Sequence, residues 1–377
     1  MSNHSIWSFS DVSDRGFGTF KRRLFAALEK HGWTTHLAVD ELGSPGFQDR
    51  LRDDLANHPT DFLLLINQPA SQFYRYLNTA PSRDLVRRRK IVWFLDDPTF
   101  YLDRPFEPSE IVCLFDDTYA DSLRPFKPRI VLHFPLACDI PAPGEFERRF
   151  SCEAAFVGGL QDQTARREQL PQEMRAYIDR LVEAKLSTRW KRMEDLVEEI
   201  PYAPGKRIQL DPQVRHFLYW ETNNRYRIEL LEQLSDLDLR IYGNEDWGPL
   251  LENSSVRDKF LGPIDPNTEL PSLFASTQVN LNIHSVQCSG SLNQRDFNAP
   301  LTGGFLLSDW VPGAARFFEP DVEAAFFTDG NDLRAKVDFF LQNAEKRESI
   351  VQAGRTRVLQ HHTYDHRVAQ LLDALSL

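Results

Sequence analysis

The stretch VNLNIHSVQCSGSLNQRDFNAPLTGGFLLSDW, Val279 to Trp310, decides how the rest of the chain is read. VNLNI (Val279 to Ile283) and FLL (Phe305 to Leu307) are short apolar runs, too brief for helices and suited to buried strands. Between them lies a polar loop, His284 to Asn293, and then a predicted helix from Gln294 to Leu301. Ser291 or Asn293 is placed to cap that helix. The first amides of such a helix, at the positive end of its dipole, form a seat for a phosphate group. Gly290 permits close backbone approach to a ligand, and Arg295 puts a cation in the first turn. A cation there opposes the dipole, so its presence is easier to explain beside an anion. The pattern alone equally fits an ordinary strand-to-helix loop with a surface arginine.

Working outward, the same unit of strand, loop and helix recurs. Ile6 to Phe9 is followed by a glycine-bearing loop and a predicted helix, Thr19 to His31. Thr35 to Val39, Phe62 to Ile66, Ile91 to Leu95, Ile111 to Phe115 and Ile130 to His133 continue as strands. Continuous apolar runs with helical segments between them imply parallel sheets and an α/β class. A proline-bearing stretch, Pro135 to Gly144, reads as a linker. A second series begins at Ala154 to Val157 and continues through Leu239 to Tyr242 and the Val279 to Trp310 stretch, with a short strand expected at KFLG, 259–262. The last third is helical over 332–343, 344–360 and 365–375. The domains are therefore placed at 1–145, 146–360 and a closing helix at 361–377. Residues 161–220 form a polar helical insertion, either decoration or a homodimer contact, or a lid over an acceptor.

The 377 residues carry 44 basic and 55 acidic side chains, for a net charge of −11. That balance disfavours nucleic acid as a partner. No run approaches the roughly 20 apolar residues of a membrane helix, and the N-terminus lacks the basic-then-apolar pattern of a secretory signal. The four cysteines are far apart and read as reduced thiols, so a cytoplasmic location is expected.

Ligands of open α/β sheets sit where loops leave the carboxyl ends of strands. Those positions here are Ser10 to Gly18, Asn67 to Pro69, Asp96 to Pro98, Asp116-Asp117, Gly158-Gly159, Gly243-Asn244, His284 to Asn293 and Ser308-Asp309. The stretch that opened the reading resembles the CgeB-like (spore maturation protein) family of group 1 glycosyltransferases. Asn282-Ile283-His284, Asn293, Arg295, Phe297, Gly303-Gly304 and Asp309 carry the likeness. It continues through Val311-Pro312-Gly313, Phe318-Glu319-Pro320, the Glu345 to Gly354 helix and His362-Thr363-Tyr364 with Arg367. The resemblance implies a GT-B fold, two Rossmann-like domains facing a cleft, with a nucleotide-diphosphate sugar, UDP-linked in preference, held by the second domain. It implies transfer of the sugar to a glycan, protein or small-molecule acceptor without a metal or other cofactor. The family's glutamate after R-x-F is Asn298 here, and the position eight residues before it is Gly290. A catalytically silent homologue that binds a sugar nucleotide or serves as a scaffold is the alternative.

Within that expectation, Ser289, Gly290, Ser291, Leu292, Asn293, Arg295 and Asn298 hold the donor, with Gly158, Gly159 and Gly243 at neighbouring strand ends. Arg15, Gly16 and Phe17 approach its phosphate from the first domain, and Pro263 and Ile264 flank the base. His284 either donates a hydrogen bond to a phosphate oxygen or is a satisfied strand-edge histidine. Asp97 is the candidate general base, with Asp14 as the second; Asp97 equally fits a cap on the segment after it. Asp236-Leu237-Asp238 precedes a strand and reads as a turn, not as a metal motif. His362 and His366 lie one helical turn apart without an evident third ligand.

Overall fold

The computed structural model describes residues 4–12, 17–138, 144–208 and 210–377. It divides into two compact units, one of Met1–Asp139 with His362–Leu377 and one of Ile140–His361.

The first unit holds six strands: β1 (Ser5–Asp11), β2 (Thr34–Asp40), β3 (Phe62–Ile66), β4 (Arg89–Phe94), β5 (Glu110–Leu114) and β6 (Ile130–His133). All pair in parallel, in the order β2-β1-β3-β4-β5-β6. β3 and β5 are buried at every residue, which is why FLLLI needs no polar alternation. Chain direction across the sheet reverses at β1 and β3, the doubly wound pattern. On one face Trp7, Phe9, Leu63 and Leu65 pack with Phe47, Leu51 and Leu55 of the helix Phe47–Asn57. The C-terminal helix Tyr364–Leu375 belongs to this unit. Its Val368, Leu371 and Leu375 are buried, Arg367 donates to the carbonyls of Pro135 and Leu136, and Asp365 pairs with Lys30 at 3.1 Å.

The second unit holds β7 (Cys152–Val157), β8 (Leu239–Tyr242), β9 (Thr277–Asn282), β10 (Leu306–Asp309) and β11 (Ala325–Phe327). These are again parallel, ordered β11-β10-β9-β7-β8. Between β7 and β8 come the helices Thr164–Glu168, Gln172–Ser187, Met193–Glu199 and Pro212–Glu232. The last of these does not stop near position 220. It runs on to bury Leu230 and Leu231 in the unit's core, so the polar stretch and the sheet share one helix. The strand expected at KFLG is absent: Phe260 alone makes an isolated parallel bridge to Ile241. No helix among the described residues is long and apolar enough to cross a membrane.

Candidate anion site at the ends of β9 and β10

β9 and β10 end side by side, with Ser308 opposite Asn282 in register. The loop after β9 re-enters the fold through the helix Gln294–Thr302, capped as the sequence indicates. Asn293 Oδ1 accepts from the Arg295 amide at 2.9 Å, and Asp296 Oδ2 accepts from the Asn293 amide at 3.0 Å, a reciprocal capping box. The Asn293 amide group also donates to Asn282 Oδ1 (2.9 Å), and Asn282 donates to Ser308 Oγ (2.9 Å). Helix start and strand ends are thus stitched together by side chains that are themselves buried or half-buried.

His284 sits at the centre and is fully buried. Its Nδ1 lies 2.5 Å from Asp309 Oδ1, and its Nε2 lies 2.9 Å from Asp296 Oδ2. Its backbone amide donates to Asp309 Oδ1 as well, at 2.8 Å. Burial alone would lower the pKa of this imidazole, but the two carboxylates outweigh it and hold the value up to about 9. Burial would likewise raise Asp309, yet His284 and Arg189 bring it down to about 2. The ring is therefore an imidazolium with both N–H groups donating to carboxylates. This corrects the expectation that His284 donates to a phosphate oxygen: neither ring nitrogen is left for a ligand. What the ring does in this structure is hold Asp296 and Asp309 in place.

Three arginines surround this core. Arg295 gives its Nε to Asn282 Oδ1 at 2.9 Å, and its two terminal nitrogens have no hydrogen-bond partner among the described residues. Arg227, on the helix Pro212–Glu232, donates to the carbonyls of Gly159 and Ile283, just past β7 and β9. Burial, then repulsion from Arg295, lowers its hold on the proton. Arg189 comes from the turn after the helix Gln172–Ser187. Its Nη2 reaches the carbonyls of His284 (3.2 Å) and Ser285 (3.3 Å) and Asp309 Oδ2 (3.2 Å). Its guanidinium lies over the rings of Trp190 and Tyr226, and Tyr226 OH donates to Asp309 Oδ2 at 3.2 Å. The turn is fixed by Lys185 Nζ, which donates to the carbonyls of Arg189 and Lys191. Arg189 Nε and Nη1, Arg227 Nε and Ser291 Oγ are buried without a hydrogen-bond partner among the described residues.

Four cationic groups thus meet two carboxylates, with several donors left over. Leaving buried donors unpaired costs roughly 1–3 kcal/mol each, which makes the arrangement a candidate seat for an anion with several acceptor oxygens. Residues 225–373 match the model of a family described as glycosyl transferase-like. No match is found among curated proteins. Among solved structures, the sucrose-phosphate synthase of Thermosynechococcus elongatus is similar over 99% of this chain and 98% of its own, at 11% identity and a TM-score of 0.62. HepE of Anabaena, in complex with UDP-glucose, is similar over 99% and 100%, at 10% identity and 0.62. A glycosyltransferase of Rickettsia africae gives 99% and 98%, at 10% identity and 0.54. At such identities the likeness is one of fold: the chain is an α/β protein of the GT-B type, with two Rossmann-like units.

The remaining candidate residues fall as follows. Asp14, Arg15 and Gly16 lie outside the described residues. Phe17 begins the helix Phe17–Lys30 of the first unit and is exposed. Asp97, in the same unit, is fully buried, and its Oδ1 accepts from the amide and hydroxyl of Thr99, the capping geometry. A Cβ at Gly158 would strike the Phe156 ring at 2.6 Å, and one at Gly243 would strike the Gly158 carbonyl at 2.3 Å. Those two glycines are explained by packing between the ends of β7 and β8. Gly159 presents the carbonyl that Arg227 takes. Gly290 is buried with its backbone against Gly313, where a Cβ on Gly313 would lie 2.0 Å from the Gly290 carbonyl oxygen. Ser289 is half-buried, Leu292 is fully buried, and Asn298 is half-buried on the helix after the loop. Pro263 is exposed, while Ile264 packs beside Phe150, Tyr242 and Leu273.

Arg189, Arg227, Tyr226 and Asp296 were not among the candidates from sequence. Arg227 follows Asn223 by four positions on a helix whose buried face also holds Thr222 and Asn224. A polar stripe at helical spacing was the one signal available. Arg189 had none.

Proposed function

We propose that this chain is a glycosyltransferase that takes a nucleotide-diphosphate sugar, with UDP as the favoured nucleotide, and passes the sugar to an acceptor hydroxyl. The observation that carries the reading is the convergence of Arg189, Arg227, Arg295 and the His284 imidazolium on the ends of β9 and β10, with unpaired buried donors. The match of residues 225–373 to a glycosyl transferase-like family supports it, and that match covers Arg227, His284, Arg295 and Asp309.

In the reaction the bond between the anomeric carbon and the terminal phosphate oxygen breaks, and that oxygen keeps the electron pair. A bond forms from the acceptor oxygen to the anomeric carbon, and the acceptor proton passes to a base. Negative charge grows on the departing diphosphate. Fixed cations and the start of the helix Gln294–Thr302 stabilise that charge without having to reorganise. The Arg295 fork matches two phosphate oxygens, and the Ser291 hydroxyl supplies a neutral donor beside it. His284 and Asp309 hold the loop in place. With four cationic groups gathered there, we assign the leaving-group role to side chains, with no divalent ion required.

Titration calorimetry with UDP-glucose, UDP and GDP, each with and without EDTA, tests this. UDP-linked ligands should bind, indifferent to EDTA. Arg295→Ala should weaken them by about tenfold to a hundredfold, the worth of a charge-assisted pair, with the melting temperature nearly unchanged. Absence of binding by every nucleotide would remove the reading. Asn298, in the place where the resembled family carries glutamate, favours one second reading, a homologue that binds but does not turn over. Binding without release of UDP across a panel of sugar acceptors would establish it.

A further inference from the structure

We propose that His36, Asp54 and His58 form a site for a divalent transition metal in the first unit, of the zinc, cobalt or nickel class. It stands apart from the sugar-nucleotide reading and does not depend on it. His36 projects from β2, the edge strand of its sheet. Asp54 and His58 are one turn apart on the helix Phe47–Asn57 and its C-cap, so they share a face. His36 Nε2 lies 3.0 Å from Asp54 Oδ1, and His58 Nδ1 lies 3.5 Å from the same oxygen. All three ligand atoms fall within 4.8 Å of one another, and among the described residues no other trio of His, Cys, Asp or Glu side chains does so. Ligand atoms at about 2.0–2.1 Å from a tetrahedral zinc ion are about 3.3 Å apart, which brackets these spacings.

The carboxylate is held from behind. Trp7 pairs with His36 in the β1–β2 register, and its indole Nε1 donates to Asp54 Oδ1 at 2.7 Å. A buried donor that orients a ligating carboxylate is the usual outer partner of a metal site. Two imidazoles and one carboxylate select borderline ions over magnesium or calcium, which prefer all-oxygen shells. His36 and His58 are partly exposed, at 30% and 42%, so an ion has a path in and a fourth position for water.

One rearrangement is required. The two rings are stacked, with centroids 3.5 Å apart and planes 15° from parallel. An ion lies in the plane of each ring that binds it, so parallel rings cannot both point at it. His58, the more exposed, turns out of the stack, and its Nδ1 exchanges the Asp54 carbonyl oxygen, now 2.9 Å away, for the ion. The ion then clips the end of the helix to the edge strand.

The test is titration of the EDTA-stripped full chain with ZnCl2, followed by calorimetry, and with CoCl2, followed by visible absorption. One equivalent should bind, the cobalt form should show tetrahedral bands, and MgCl2 should give no heat. His36→Gln and His58→Gln should each weaken binding at least tenfold without changing the circular dichroism. Trp7→Phe should weaken it by about tenfold through the carboxylate alone. Absence of stoichiometric zinc binding would overturn the proposal, as would His36→Gln and His58→Gln proteins that bind as tightly as the unaltered chain.

Discussion

His284 keeps a charge in the interior because two carboxylates and a backbone contact leave it no cheaper state. Its pKa is raised from the ordinary 6.5 to about 9 by Asp296 and Asp309 against the opposing effect of burial. A raised value means that the folded chain holds the proton more tightly than the unfolded chain. The stabilisation is therefore complete below pH 6.5 and is lost as the pH rises through about 9. The groups facing the ring include Asp296, Asp309 and, through Asp309, Arg189 and Tyr226. Melting temperatures from pH 6 to 10 should fall across that window in the unaltered chain. His284→Gln should be less stable at pH 6 and flatter over the same range; an equal slope would place the titration elsewhere. Legibility at this scale was uneven. A helix cap at Ser291 or Asn293 is legible in the sequence because capping is local, and the structure places it at Asn293. The pairing of His284 with Asp296 and Asp309 is not legible there, because it joins residues 12 and 25 positions apart that meet only through the return of the helix Gln294–Thr302 and the β9–β10 register.

At the scale of elements, some apolar runs match their strands and others do not. FLLLI at Phe62–Ile66 and LRIY at Leu239–Tyr242 match their strands to the residue, the first buried throughout and the second at all but Arg240, and both are ended by polar or glycine positions. β11 has only three residues, Ala325–Phe327, and offers too little pattern to notice. KFLG has the composition of a strand, yet it makes no more than an isolated bridge at Phe260, with hydrogen bonds from Leu261 to Ile241 and from Gly243 to Gly262 beside it. The polar segment before β8 shows the larger difference. Its helices carry Arg189 into the group of residues around Asp309, so this segment contributes a side chain to the proposed anion site. Arg189→Met should unpair one side of Asp309 and the carbonyls of His284 and Ser285. Breaking a buried pair from one side costs about 3–5 kcal/mol. Denaturant unfolding should show that loss, and calorimetry should show weaker UDP binding even at temperatures where the variant is folded. A variant with unchanged affinity would reduce Arg189 to a packing residue.

At the scale of the molecule, the chain leaves the first unit after position 139 and returns to it at 362. The returning segment is bound by specific contacts. The Cys138 amide donates to the His362 carbonyl and the Tyr364 amide to the Cys138 carbonyl, and Arg367 closes on the carbonyls of Pro135 and Leu136. Arg367→Met should leave those buried carbonyls without donors and lower the stability of the first unit by about 1–3 kcal/mol. Hydrogen exchange should report faster opening in β6 and the closing helix, with the strands of the second unit unaffected. Equal acceleration in both units would mean that they unfold together.

That return has a consequence for how the protein is made. Chains emerge from the ribosome at about 5–20 residues per second, with N-terminal parts folding first. The six strands of the first sheet are complete by His133, but the closing helix, which packs on the helix Phe17–Lys30, is translated only after the whole of the second unit. For the seconds in between, the nascent first unit lacks the helix whose Val368, Leu371 and Leu375 are buried in the finished fold. It waits as an unfinished intermediate, open to chaperones.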